Sequence, residues 1–112
     1  MNNDCLFCKI INREIPAKIE FEDDQVLGFH DIQPSAPVHI LFVPKKHLDS
    51  VAQASVENSV VSLLADRAVK TAEKLGLQPT GFRLLINYGP DAGQTVHHLH
   101  MHLLGGAKLS HL

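Results

Sequence analysis

The stretch HHLHMHLL, residues 97–104, holds four of the chain's eight histidines within six positions. If it forms a β-strand, side-chain alternation places His98, His100 and His102 on one face and apolar residues on the other. The outer two then lie about 13 Å apart, too far to share one metal readily, whereas neighbours lie about 7 Å apart. Two neighbouring imidazoles suit a nucleophile beside a general acid. The stretch therefore predicts a strand that acts on one small anion; the alternative is a histidine-rich edge strand facing solvent.

The length of 112 residues, without repeats or Gly/Ser linkers, predicts a single domain over residues 1–112, and its 45% apolar and 20% charged residues are typical of a globular protein. The formal net charge is −2 and the basic residues are scattered, which argues against nucleic acid as a partner. No apolar run is long enough to cross a bilayer, and residues 1–10 lack the basic start and apolar stretch of a secretory signal. We therefore expect a cytoplasmic protein with reduced thiols and no membrane partner.

Hydrophobic periodicity predicts an α+β fold with five strands and two helices. Apolar residues at helical spacing before Pro16 predict a short opening helix. An apolar stripe from Val60 to Leu75 predicts a long helix that Gly76 ends and that Ser55 caps. The predicted strands are KIEFED, VLGFHD, HILFVP, FRLLIN and HLHMHLL, at residues 18–23, 26–31, 39–44, 82–87 and 98–104.

The segment HLHMHLL matches the His-φ-His-φ-His-φ-φ signature of the histidine triad superfamily, where φ is an apolar residue. The flanking residues 15–47 and 81–106 resemble its nucleotide-binding branch. The resemblance implies a five-stranded antiparallel sheet with one long and one short N-terminal helix. It also implies a homodimer, which suits a domain too small to cover all of its apolar surface. The implied activity is hydrolysis of nucleoside 5′-phosphoramidates of the adenosine or guanosine type, through a nucleotidyl-histidine intermediate.

Carried onto this chain, the resemblance assigns the nucleophile to His100. It assigns phosphate contact and proton delivery to His102, and it places His39 near them as a fourth imidazole. Asp31 would accept the two ribose hydroxyls; the alternative is an ordinary turn residue. An apolar base wall is implied for Phe29 and Ile32, and phosphate contacts for Asn87, Gly93, Gln94 and Thr95. No Lys-Ser/Thr pair follows the glycines as in a P-loop, so no catalytic metal is expected.

Cys5 and Cys8 have the C-x-x-C spacing of half a tetrahedral zinc site or of a redox pair. No strand precedes them as a thioredoxin-like motif requires. The histidines that could complete a zinc site are His39, His47, His97 and His98. The resemblance selects His47 and His98, which implies a structural zinc ion that ties the opening helix to the sheet. The alternative is two reduced, buried cysteines without metal.

Three other functions fit the same residues. A dinucleoside polyphosphate hydrolase of the same superfamily would use His100 on a longer substrate. A metal-dependent hydrolase would chelate a catalytic zinc ion with His98 and His100. A nucleotide-binding adaptor would use the histidines only to hold phosphate.

Overall fold

Five β-strands and two α-helices make up the fold in the computed structural model, which describes residues 4–54 and 59–111. The strands form one antiparallel sheet in the order β1-β2-β3-β5-β4. This confirms the predicted α+β class and the five-stranded antiparallel sheet with one long and one short helix. Neither helix is long and apolar enough to cross a membrane within these described residues. The elements are α1 (Leu6–Ile11), β1 (Ile19–Glu22), β2 (Val26–His30), β3 (Val38–Pro44), α2 (Val60–Lys74), β4 (Phe82–Leu85) and β5 (Met101–Gly105).

Strand β3 is buried on both faces and separates two apolar cores. Ile40 and Phe42 belong to the core that contains the buried stripe of α2. Leu41 and Val43, which point the other way, belong to the core that contains α1. The continuous apolar run in β3 is explained by burial on both faces, because each face of the strand packs against a different helix.

Helix α2 ends where the sequence predicts. Gly76 adopts a φ of +76°, and its N–H and that of Leu77 bond back to the carbonyls of Glu73 and Ala72. This is the Schellman arrangement, for which glycine is favoured because the left-handed conformation costs it little. The predicted N-cap, Ser55, lies outside the described residues, and the helix itself begins at Val60.

The prediction of a strand from His98 onward is wrong at its start, because β5 begins only at Met101. The pairing of β5 with β3 ends at the same point, since Met101 pairs with Phe42 and no residue between β4 and Met101 has a partner on β3. The approach to the strand is bent, and the Leu99 N–H donates to the carbonyl of Leu48 instead. The side chains of His98 and His100 therefore need not point to the same face, as they would in a regular strand, and they can belong to different sites.

Candidate active site and metal centre

A cavity of about 310 Å³ opens between α1, the carboxyl end of β2 and the segment that leads into β5. It brings together all of the predicted nucleotide-contacting residues except Gln94. Leu6 and Phe7 of α1 also line it, which sequence reasoning missed because helical spacing marks both only as packing residues. The predicted residues at the cavity are Phe29, Asp31, Ile32, Asn87, Gly93, Thr95, His100 and His102.

Gln94 is buried and does not line the cavity. Its side-chain amide donates to the carbonyls of Asp49 and Val96, at 2.9 and 3.2 Å, and accepts from the Gly89 N–H at 3.0 Å. The backbone N–H of Gln94 donates to the Gly89 carbonyl. Gln94 thus holds the glycine loop in shape, whereas its neighbours Gly93 and Thr95 face the cavity.

His100 lies just before β5, with a ring that is almost fully buried. Its Nδ1–H donates a 2.8 Å hydrogen bond to the backbone carbonyl of His98, so the neutral ring carries its lone pair on Nε2. Burial lowers the pKa of His100, although the bond to His98 and the charge of Asp31 oppose this effect. The ring therefore presents a neutral nitrogen with a lone pair at the cavity.

A chain of hydrogen bonds fixes His102 in the opposite tautomer. The Ser35 N–H donates to His39 Nδ1 at 3.0 Å, so His39 carries its proton on Nε2 and donates it to His102 Nδ1 at 2.9 Å. The proton of neutral His102 is then on Nε2, a buried atom with no hydrogen-bond partner among the described residues. Burial lowers the pKa of His102 to about 4, and the nearby His100 and His39 add to this effect. The cavity therefore contains an unused donor, which an anionic oxygen could accept.

Asp31 follows the end of β2 and is half-buried at the cavity. One carboxylate oxygen accepts the Gln33 N–H at 2.9 Å, as a turn residue does. The other lies 3.5 Å from His39 Nε2, farther than the 2.9 Å to His102. The turn role is therefore real, and it leaves the second oxygen at the cavity wall.

The four predicted metal ligands form one cluster behind α1, with their donor atoms within 4.8 Å of one another. The Sγ atoms of Cys5 and Cys8 lie 3.3 and 3.6 Å from His98 Nδ1, and Cys8 Sγ lies 3.3 Å from His47 Nδ1. Ligands of one tetrahedral zinc ion lie at roughly such separations. The cluster therefore fits a zinc ion by the identity and spacing of its donors.

The outer nitrogens of the two histidines support the same conclusion. His98 donates Nε2–H to the Pro44 carbonyl at 2.8 Å, and His47 donates Nε2–H to an Asp49 carboxylate oxygen at 2.6 Å. Both rings therefore turn an Nδ1 lone pair toward the sulfurs, as histidine ligands with fixed tautomers do. Burial raises the pKa of the Cys8 thiol to about 11, because it disfavours the thiolate. A bound cation would offset this effect by stabilising the thiolate.

Asp31, His39 and His102 also have donor atoms within 4.8 Å of one another. The Ser35 N–H occupies one nitrogen of His39, so the other carries a proton and has no lone pair for a metal. This group is therefore a hydrogen-bond chain. A catalytic metal held by His98 and His100 is disfavoured as well. The lone pair on His98 Nδ1 faces the cysteines, whereas the lone pair on His100 Nε2 faces the cavity.

Comparison with known proteins agrees with the fold. Residues 12–109 match the sequence model of the HIT domain. The chain belongs to the HIT family. It is 43% identical over 110 residues to the purine nucleoside phosphoramidase of Escherichia coli (strain K12), which covers 97% of this chain and 92% of that protein.

Two further relatives match nearly the whole length of this chain. An uncharacterised HIT-like protein of Synechococcus elongatus is 47% identical over 113 residues, covering 98% of this chain and 96% of that protein. The solved structure of a histidine triad protein from Clostridium difficile gives a TM-score of 0.95 at 47% identity, covering 100% of this chain and 98% of that one. The predicted histidine triad resemblance is confirmed.

The low pKa of His102 predicts a loss of stability in acid. Between about pH 6.5 and 4, the unfolded chain binds a proton at His102 that the folded protein excludes, so stability falls as the pH falls through this window. We expect the unfolding free energy of the wild type to drop by about 2 kcal/mol more than that of His102→Asn between about pH 7.5 and 4.5. Urea unfolding at both pH values measures this.

The matched control is His97→Asn, the same change at an exposed histidine. It should show the acid loss of the wild type, including any part due to the metal cluster. Equal acid losses in His102→Asn and His97→Asn would contradict the buried neutral state of His102.

Proposed function

We propose that this HIT protein is a purine nucleoside 5′-phosphoramidate hydrolase that forms a nucleotidyl-His100 intermediate. The observation that carries the proposal is the pair of neutral imidazoles at one cavity, with a lone pair on Nε2 of His100 and a proton on Nε2 of His102. Their ring centroids are 5.1 Å apart, so both can reach the substituents of one phosphorus atom. The 43% identity to a purine nucleoside phosphoramidase supports the same reaction.

In the first half of the reaction, His100 Nε2 attacks the phosphorus and the P–N bond breaks. The Nδ1–H bond to the His98 carbonyl stabilises the positive charge that develops on the ring. An anionic phosphate favours protonation of His102, so binding draws a proton from solvent onto that ring. The leaving nitrogen takes the Nε2 proton of His102 and departs as a neutral amine, which leaves His102 neutral with its remaining proton on Nδ1 and a lone pair on Nε2.

The hydrogen-bond chain behind His102 makes its protonated form a strong acid. A protonated His102 has N–H groups on both nitrogens. His39 points its own Nε2–H at Nδ1 of His102, because the Ser35 N–H fixes the tautomer of His39. The positive end of the His39 N–H dipole then faces a charged ring, which destabilises the cation relative to the neutral ring and favours transfer of the Nε2 proton to the leaving nitrogen. His39 therefore acts on the reaction through His102.

In the second half, water attacks the phosphorus of the adduct and gives its proton to His102, while the bond from phosphorus to His100 breaks. The nucleoside monophosphate leaves, and loss of the proton from His102 restores both neutral rings. Asp31 would hold the ribose hydroxyls through its cavity-side oxygen. Phe29 and Ile32 would contact the base. The other phosphate contacts are Asn87, Gly93 and Thr95, whereas the bonds of Gln94 give it only the indirect role of shaping the loop.

We predict that His100→Ala abolishes hydrolysis but keeps most of the affinity for adenosine monophosphate, because His100 supplies the attacking atom and other residues supply most of the binding. His102→Ala should slow turnover roughly 10²–10⁴-fold, since solvent can partly replace a proton donor. An adenosine phosphoramidate assay, with calorimetry for binding, measures both. Intact-mass analysis of the wild type should detect the nucleotidyl adduct.

Near wild-type turnover in His100→Ala would contradict the nucleophile assignment. Equally low turnover in both proteins would favour the adaptor alternative, and turnover lost to a chelator in folded protein would favour the metal-hydrolase alternative. Exposed His97→Ala is the control and should keep full activity. A dinucleoside polyphosphate assayed beside the phosphoramidate tests the longer-substrate alternative.

We also propose that Cys5, Cys8, His47 and His98 bind one structural zinc ion per chain. When bound, the ion stabilises the fold by holding α1 against the sheet, and the reducing cytoplasm, our proposed location, keeps its thiol ligands available. We predict one zinc per chain by elemental analysis of protein purified without tag or chelator. Free zinc at 100- to 1,000-fold above its Kd should add about 3–4 kcal/mol to the unfolding free energy.

Two variants separate this metal site from general damage. Cys8→Ser should lose the zinc, with any loss of activity tracking loss of folded protein, whereas exposed His97→Ala should retain the metal. Wild-type protein purified without zinc and indifferent to its addition would contradict the proposal.

We propose that the protein is a homodimer whose two sheets join side by side, with α2 at the interface. β4 is an edge strand, and the exposed Val69 leaves an apolar side chain on the surface of α2. A second copy could cover both, as is common in small domains. We predict twice the chain mass by light scattering at micromolar protein. A monomer mass that does not change with concentration would contradict this.

A further inference from the structure

Phe7 connects the metal cluster to the proposed nucleophile. It lies on α1 between Cys5 and Cys8, and it is only 4% exposed. Its ring meets the His100 ring at 89°, with centroids 5.0 Å apart, and the His98 ring at 65° and 6.0 Å. Phe7 also lines the cavity, so one side chain contacts a predicted metal ligand, the nucleophile and the space where the substrate would lie.

The hydrogen bond from Nδ1 to the His98 carbonyl does not by itself fix the direction of the lone pair on His100. A ring held at one nitrogen can still tilt about that bond, and tilting moves Nε2 sideways at the cavity. The nearly perpendicular contact with Phe7 restrains this tilt, because edge-to-face aromatic pairs prefer this geometry and distance. Nucleophilic attack depends on such alignment, and small displacements slow it strongly.

Phe7 is itself held in place from several directions. Its ring packs at 70° and 5.3 Å on Phe29 of β2, and the neighbouring Cys5 and Cys8 side chains are buried in the metal cluster. The Lys9 N–H donates to the Cys5 carbonyl, which fixes the first turn of α1. The aromatic ring is therefore a fixed surface against which His100 can be aligned.

We propose that Phe7 is a positioning residue for His100, which holds the imidazole at the angle needed for attack on phosphorus. The proposal rests on the proposed function and extends it to a residue outside the histidine motif. It predicts that loss of the aromatic ring slows formation of the nucleotidyl adduct while nucleotide binding stays nearly unchanged.

The experiment compares wild type, Phe7→Leu, Phe7→Tyr and Leu6→Ala. Phe7→Leu keeps an apolar side chain but removes the ring, and it should slow single-turnover adduct formation about tenfold at saturating adenosine phosphoramidate, with the Kd for adenosine monophosphate within about threefold of wild type. Phe7→Tyr restores the ring and should recover the rate to within about threefold. Leu6→Ala, a cavity residue on the same helix, should change KM more than kcat.

A second readout needs no turnover. In nucleotide-free protein, the carbon-bound ring protons of His100 should change chemical shift in Phe7→Leu and return toward wild-type values in Phe7→Tyr, because an aromatic ring shifts the resonances of its neighbours. Circular dichroism checks that each variant is folded. If Phe7→Leu does not fold, Phe7→Met, which fills gaps flexibly, takes its place.

Adduct formation at the wild-type rate in Phe7→Leu, unchanged His100 signals, or a rate loss explained by weaker nucleotide binding would each overturn the proposal. Absence of any adduct in the wild type would instead overturn the proposed function, and the His100 ring signals would still test the contact with Phe7.

Discussion

The bent chain before β5 is the constraint on which both sites depend, because it lets His98 face two ways. The His98 ring turns its Nδ1 toward the cysteines, while its carbonyl accepts the Nδ1–H of His100. A regular strand would place the rings of His98 and His100 on one face, where they would compete for the same space. Here the metal cluster and the proposed nucleophile are separate sites joined through one residue.

The same principle recurs at every histidine of the two sites: one nitrogen is fixed by a neighbour, so the other has a single role. Backbone carbonyls take the N–H groups of His98 and His100, and the Asp49 carboxylate takes that of His47. His39 is fixed by a donor instead, the Ser35 N–H, and it donates in turn to His102, which reverses the tautomer of His102 relative to His100. Histidines that are identical in the sequence can thus serve the proposed roles of metal ligand, nucleophile and proton donor.

The sequence predicts those features that depend on residue type and period. The two-sided strand β3, the end of α2 at Gly76 and the grouping of Cys5 and Cys8 with two histidines all follow from local pattern or from family resemblance. The start of β5 does not follow, because it depends on where the partner strand stops pairing.

Roles set by tertiary contacts are equally hidden in the sequence. The loop-shaping bonds of Gln94 and the donor role of the Ser35 backbone leave no pattern in the side chains. Phe7 reads as a core residue, since nothing in the spacing of the short helix α1 shows that its ring meets His100. Such roles can be recognised only once the chain has brought distant residues together.

The charges at the cavity show why imidazoles suit this site. Among its described lining residues there is no lysine or arginine, and Asp31 adds negative charge. A phosphate bound there would be compensated by N–H donors and by protonation of His102, because a nearby anion opposes the lowering of the His102 pKa by burial. A permanent cation would bind substrate and product alike, whereas in the proposed reaction His102 accepts a proton when the substrate binds and loses one as the amine departs. The low pKa that destabilises the protonated ring is then the property that returns it to the neutral state for the attack of water.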